Sequence, residues 1–523
     1  DVTITGSLSL ADDVTGVTSA ATGTIIAITA TYIVMTKVVG SFVSGETLNV
    51  SASPEATADS VAVPSGASTS ILNAQYNNLA ADEYRSDIAA VPGSGAILGI
   101  TFLNDITYAF RANIGGTAVD IYKSSSSGYV QVPLGLEMAF TSGGTTEITE
   151  GQTITGATSA ATAVLTRVML ESGSWAAGDA AGKFIFASQT GTFQAENIDV
   201  GASSNLATIA ADSSAITLST GGRFSFVRND FGDGLRVYGV DKINRGFEFD
   251  GTVFCPITTG MTADTPNYVV AHKNHLMYGF GISLQHSGIK APYAWTVITG
   301  AAELIMGDEI TGFSGQSGSE LNAALTVFSK NTIHILYGSS SADWALDKYK
   351  DEVGGRAYSI QTNINTYFLD DRGITNLKAV QAFGNFSHST ISKLIQRWII
   401  ARKGRVLDSC VVRDKSQVRM FFNDLSAIYI TFQEGKLVGM IPQLLSHYVR
   451  CMYSHEYASG TETIKFGSDD GFVFEMEKGT SQDGQPIDSF LVTHFHHSKS
   501  PRTNKDYVDM TLEVSGTGYA EIA

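Results

Sequence analysis

The sequence predicts an all-β protein, and three observations carry that expectation. Charged residues make up only 16% of the chain against 43% hydrophobic. There are 53 glycines beside 10 prolines, and Val, Ile, Thr, Phe and Tyr fill the stretches between the glycines. Gly supplies the positive φ that tight turns need, while β-branched and aromatic side chains suit the pleated surface between turns. At 523 residues the chain exceeds one small core, and about two to four domains or one large repeat architecture with insertions are expected.

An internal duplication sets the organisation. Val14-Thr-Gly-Val-Thr-Ser-Ala-Ala-Thr22 matches Ile154-Thr-Gly-Ala-Thr-Ser-Ala-Ala-Thr162, and Gly40-Ser-Phe-Val-Ser-Gly-Glu46 matches Gly191-Thr-Phe-Gln-Ala-Glu196. Each copy reads as a small β-module of tight hairpins with Phe42 or Phe193 in its core. Elsewhere an aromatic-rich strand, a Gly or Asp turn and another strand recur, as in Phe247-Glu-Phe-Asp-Gly251, Tyr367 to Gly373 and Phe466 to Phe474. The turns lie about 30 to 60 residues apart, overlapping the spacing of four-stranded propeller blades. The fold expected is an irregular β-propeller platform with small inserted β-modules and few helices. Its divisions are an N-terminal module over 1–54, a first part of the propeller over 55–145, an inserted module over 146–203, the main propeller over 204–490 and a C-terminal strand segment over 491–523. Segments 51–70, 204–216 and 312–320, rich in Ser, Ala, Gly or Asp, read as linkers or surface loops. Gly373 and Gly471 close strand-turn-strand elements and are expected at positive φ.

One helix is expected from Ile391, Leu394, Ile395, Trp398 and Ile399, spaced i, i+3, i+4, i+7, i+8 behind Ser389 or Thr390. Lys393, Arg397, Arg402, Lys403 and Arg405 form the densest basic cluster of an acidic chain. They are candidates for docking on a neighbouring subunit or an adaptor; a solvated helix face is the plainer reading.

Fifty-one acidic against 34 basic side chains give a formal charge of -17, which repels a phosphate backbone and argues against sequence-specific nucleic-acid binding. Cys255, Cys410 and Cys451 lie far apart with no metal-type spacing and read as reduced thiols made in a cytosol. The longest apolar run, Thr24 to Met35, falls short of the roughly 20 residues that span a bilayer, and it reads as a strand. No signal-peptide pattern opens the sequence, so no membrane insertion is expected.

Catalytic signatures are sparse. Gly93-Ser-Gly-Ala-Ile-Leu-Gly99 superficially suggests a dinucleotide loop, but its last Gly is one position late and no βαβ pattern surrounds it. No Walker A sequence, Gly-x-Ser-x-Gly elbow or His-Glu-x-x-His pair is present. His494 and His496 would share a strand face beside His497, yet no third ligand is placed, and an exposed strand end is the simpler reading. Asn229-Asp-Phe-Gly-Asp-Gly234 and Asp469-Asp-Gly471 offer oxygens but fit no EF-hand loop and read as Asp-Gly turns. Glu147 and Glu150 are carboxylates of the kind that glycoside hydrolysis pairs, with a separation that sequence does not set. No cofactor and no metal is expected.

Several segments in order resemble the tail nozzle or tail hub proteins of podoviruses, the packaged-DNA stabilisation protein family of short-tailed bacteriophages. They are Val91-Pro-Gly-Ser-Gly95, Tyr108-Ala-Phe-Arg111, Tyr122-Lys-Ser-Ser-Ser-Ser-Gly128, Phe247-Glu-Phe-Asp-Gly251, Phe368-Leu-Asp-Asp-Arg-Gly373, Phe466-Gly-Ser-Asp-Asp-Gly471 and Ser500-Pro-Arg502. The resemblance implies a non-enzymatic structural protein of the virion tail, made in the host cytoplasm. It implies a homo-oligomeric ring, a hexamer, below the portal and tail adaptor protein, touching tail fibres or tailspikes and a tail plug or needle. Double-stranded DNA would pass through the ring without being specifically bound. The alternatives are a receptor-binding or depolymerising tailspike, for which short regular β-solenoid spacing is expected, and a bacterial surface adhesin.

Overall fold

The computed structural model describes residues 1–62, 70–142, 144–315, 324–380, 385–479, 481–485 and 487. They form two compact units, one of the described residues up to 89 and from 479 on, and one of those between 90 and 478.

The larger unit is a seven-bladed propeller. Six antiparallel four-stranded sheets follow one another over 94–132, 225–256, 268–305, 310–351, 361–390 and 406–444, and a three-stranded sheet over 451–475 completes the set. We number them blades one to seven. Each blade runs inner strand to outer strand by successive hairpins, and the inner strands contact one another in blade order from two to seven. The inner strand of blade seven, Cys451–Glu456, then meets that of blade one, Ser94–Leu103. Blade one joins blade two where Phe224 N donates to Leu98 O at 3.0 Å. Large apolar side chains on facing strands fill the space between blades. Phe110, Phe224, Phe247, Phe249 and Phe254 interlock between blades one and two, and Tyr367, Met420 and Phe422 between five and six.

A seven-stranded sheet over 136–215 stands in the chain between blades one and two. Its strand Leu136–Ser142 pairs with both Ala181–Thr190 and Ser203–Ile209, so six strands close into a barrel around Phe140, Trp175, Phe184 and Phe186. The inserted module therefore takes in residues on both sides of 146–203. Segment 204–216, read as a linker, supplies the strands Ser203–Ile209 and Ser214–Ala215. Its small residues fit because alternate positions, Ala207 and Ile209, still reach the barrel core.

In the smaller unit a six-stranded sheet repeats the same order of strands, with β-pairing of Val2–Ile4 to Ser53–Ala58 matching that of Leu136–Ser142 to Ser203–Ile209. The first module thus extends to Ala58, beyond the boundary at 54. The run Thr24 to Met35 is two strands, Thr22–Ile28 and Ile33–Val39, joined by a turn in which Thr29 Oγ1 donates to Tyr32 O. Helix α1, Ser70–Ser86, follows against the two strands of this hairpin, so the propeller starts near residue 90 and not at 55. The segment 491–523 lies outside the described residues.

Candidate docking surface and axial pocket

The helix expected near 391–399 is shorter than its apolar pattern suggested. A 3-10 turn, Lys393–Ile395, leads into helix α2, Gln396–Ile400, which bridges blades five and six. Ile399 is buried, whereas Leu394 is fully exposed at 101%. The 3-10 turn advances side chains by a third of a turn per residue instead of 3.6 per turn, and this rotates Leu394 off the buried face.

The five basic candidates divide. Arg402 is built into the fold: its Nε donates to Ser426 Oγ at 2.9 Å and pairs with Asp424 at 2.9 Å, and its guanidinium lies 4.0 Å above the Trp398 ring. Lys403 pairs with Asp371 at 2.9 Å and Arg405 with Asp424 at 3.8 Å. Lys393 and Arg397 flank Leu394, are exposed, and carry no ion pair among the described residues. These three side chains form one projecting, basic and apolar turn.

The propeller axis is occupied by side chains. A cavity of about 270 Å³ is lined by one residue or more from each inner strand, among them Ile100, Phe226, Val270, Phe313, Gln361, Ser409 and Met452. At its wall Arg223 pairs with Asp408 at 3.0 Å and stacks 3.4 Å above the Tyr358 ring. Burial pushes the Asp408 carboxyl up, against the pull of Arg223 and of the Ser409 and Met452 amides that donate to it. Tyr358 holds a left-handed φ of 60°, and Ser409 Oγ donates to its carbonyl at 2.6 Å. That hydroxyl is a brace for the backbone. The axial cavity is far smaller than even a few base pairs of duplex DNA, whose major groove alone is about 12 Å wide. DNA does not fit along this axis.

The duplicated motif proves to be a turn lock. Glu46 is buried and accepts hydrogen bonds from Val43 N at 2.6 Å, Ser19 N at 2.9 Å and Ser19 Oγ at 2.9 Å. Glu196 in the second copy accepts from Thr158 N at 2.7 Å, Ser159 N at 2.8 Å and Ser159 Oγ at 2.6 Å. Burial alone would raise both carboxyls, but these donors hold each below its ordinary value. Ala20 and Ala160 take left-handed φ of 54° and 57° inside the locked turns. A Cβ on Gly16 or Gly156 would lie 2.5 or 2.4 Å from the carboxylate, which accounts for the glycine in both copies.

A second charged cluster fixes the inserted barrel to blade two. Arg167 reaches Asp250 at 2.5 Å and Glu248 at 3.7 Å, and Glu248, wholly buried, also accepts from Arg236 at 2.8 Å and from Tyr238 Oη at 3.0 Å. Lys183 donates to Thr258 Oγ1 at 2.7 Å and pairs with Glu137 at 3.1 Å. Nothing in the spacing of these residues along the sequence announced the cluster.

Of the remaining chemistry candidates Glu147 is exposed, and the others among the described residues are engaged structurally. Asp230 caps the amides of Gly232 and Gly234, Asp469 pairs with Arg450, and Glu150 faces Arg167 at 3.4 Å. All three cysteines are buried, and burial pushes their thiols up, Cys451 to about 12. Thiols so raised are not nucleophilic thiolates at neutral pH. His275 and His286 pack with Trp344, whose indole donates to His286 Nε2 at 2.9 Å. No group of three His, Cys, Asp or Glu is placed for a metal among the described residues, and His494, His496 and His497 lie outside them.

No family model and no curated protein matches the chain. Among solved structures, BBS1N in complex with ARL6DN, soaked with lead, aligns over 47% of this chain and 78% of that one, with 13% identity and a TM-score of 0.33. The same complex soaked with mercury aligns over 49% and 92%, with 12% identity and a TM-score of 0.28. At those scores the likeness carries nothing about activity or partners, and the propeller stands on its own strand registers and blade contacts.

Proposed function

We propose that this chain is a non-enzymatic structural subunit of a short bacteriophage tail, one copy of a homo-oligomeric nozzle or hub ring. One observation carries the reading. Three segments that resemble the nozzle family, two near residue 100 and the third 359 residues beyond Arg111, converge on a single latch between the first and last blades. Arg111 donates to the carbonyls of Val91, Gly95 and Asp470, and Val91 N donates to Gly471 O at 2.9 Å. The resemblance thus falls on residues that close the platform and not on a reactive centre.

In this reading the propeller is a rigid disc, and its inserted barrel is an attachment for fibres, plug or adaptor. DNA passes through the lumen that several copies enclose, since the disc's own axial cavity of about 270 Å³ is too small for a duplex. A net charge of -17 per copy favours a lumen that repels phosphates within about a Debye length of 10 Å. A gripping channel would need a basic lining and binding that falls steeply with salt.

Gold-labelled antibody against the chain, applied to intact virions, tests the placement. Label at the axial tip of the tail is expected, and label on lateral spikes would favour the tailspike alternative. Release of reducing ends from host polysaccharide by the purified chain would favour the depolymerase reading.

A further inference from the structure

We infer that the projecting turn Lys393, Leu394 and Arg397 is the docking surface for a second copy of this chain, and that its occupant is the acidic face of that copy's inserted barrel. The inference deepens the ring proposed above and rests on it.

The turn has the makings of an interface. Leu394 is a large apolar side chain with no cover, set between two cations that lack acidic partners among the described residues. An exposed anchor ringed by charge is the pattern of a partner site, because each isolated feature is common while their coincidence is not.

The choice of occupant comes from charge. Residues 136–215 hold eight acidic side chains and two basic ones. Both basic side chains, Arg167 and Lys183, face inward, where they join the barrel to blade two and to its own core strands. The outer face of the barrel is left with Glu147, Asp179 and Asp212 exposed and no exposed Lys or Arg. Within one molecule the two surfaces cannot meet. The barrel docks on blade two and α2 lies between blades five and six, about half a turn around the seven-bladed disc. Opposite and complementary edges make a heterologous contact, which closes into a ring when its rotation allows.

The test is a charge exchange between full-length chains, read by sedimentation at about 50 mM salt, where the Debye length exceeds 10 Å. Lys393→Glu with Arg397→Glu, and separately Thr146→Lys with Glu147→Lys, change only exposed side chains, so equal melting temperatures will certify folding. The wild type is expected to self-associate, more weakly as salt rises. Each variant alone should lose at least about a hundredfold in association constant, since like charges then face each other. The equimolar mixture should regain oligomers, because each variant supplies the complement of the other. Undiminished self-association of either variant, or a mixture that stays monomeric, overturns the contact. Rings seen on virions carrying the variants would overturn it while leaving the nozzle reading intact. A wild type monomeric at every concentration overturns it as well.

Discussion

The guanidinium of Arg111 fills the space that a Cβ on Gly471 would occupy, 2.0 Å from where that atom would stand. Arg111 lies in blade one and Gly471, at φ 87°, in the turn of blade seven, so the two close the propeller across nearly the whole larger unit. Burial lowers the Arg111 pKa, yet its carbonyl partners leave it a full set of acceptors. Gly471→Val should destabilise by about 1–3 kcal/mol from backbone strain alone, with the steric conflict added. Arg111→Ala should cost about 1–3 kcal/mol by leaving buried carbonyls unsatisfied. Thermal melts of both variants and of the double mutant check this, and unchanged melting of Gly471→Val would show the turn to be ordinary. Gly373, at φ 134° with Ser392 Oγ 2.3 Å from its notional Cβ, should respond in the same direction.

Glu46 and Glu196 should be interchangeable in their energetics, because each holds its Thr-Ser-Ala-Ala-Thr turn with the same donors. Glu196→Gln exchanges a charged acceptor for an amide that brings donors into a ring of N–H groups, at a cost of about 1–3 kcal/mol. The folded carboxyls titrate below their ordinary value of 4.5, so their contribution is present above that pH. It is lost as pH falls from there through the lower folded value, because over that window the unfolded chain binds more protons. Melting curves from pH 6 to 3 should show wild type and variant converging.

Glu248 carries the attachment of the inserted barrel. Glu248→Ala leaves Arg236 and the Tyr238 hydroxyl facing an empty site while Arg167 keeps Asp250, and the uncompensated buried cation should cost about 3–5 kcal/mol. Hydrogen exchange should rise in residues 162–172 and 181–190 as well as in blade two. A change confined to blade two would mean that the barrel is held by its apolar contacts instead.

Blade three holds two imidazoles that resist protonation. Burial first, then the charges of Lys273 and His275, pushes His272 down to about 4, and burial lowers His286 too. The unfolded chain takes up these protons near the ordinary 6.5, so it binds more of them between pH 6.5 and 4. Stability is therefore full above about 6.5 and falls toward 4, by up to about 1.4 kcal/mol per pH unit for each such group. His272→Gln should flatten this acid limb, and an unchanged slope would place the titration elsewhere.

The all-β class and the blades were legible because aromatic strands bounded by Gly or Asp turns recur along the chain, as at Phe247 to Gly251 and Phe466 to Gly471. The duplication was legible through Thr-Ser-Ala-Ala-Thr, although only the structure shows that the lock is Glu46 and Glu196, more than 25 residues beyond each turn. Module boundaries were hidden because Leu136–Ser142 and Ser203–Ile209 are ordinary strands whose partners lie across the insertion. Helix α1 was hidden by its many polar residues and lack of a clear apolar stripe. Of the basic cluster, sequence marked all five positions, but Arg402 turned out to serve the fold, and Leu394 lay outside rather than in the core.

Reconstruction of the virion tail by cryo-electron microscopy tests the central claim most directly. Seven-bladed discs of this chain are expected to repeat in a closed ring around the axial channel, with the inserted barrel of each copy seated against the Lys393 to Arg397 turn of the next. Density for the chain in a trimeric spike, or away from the axial channel, would contradict it.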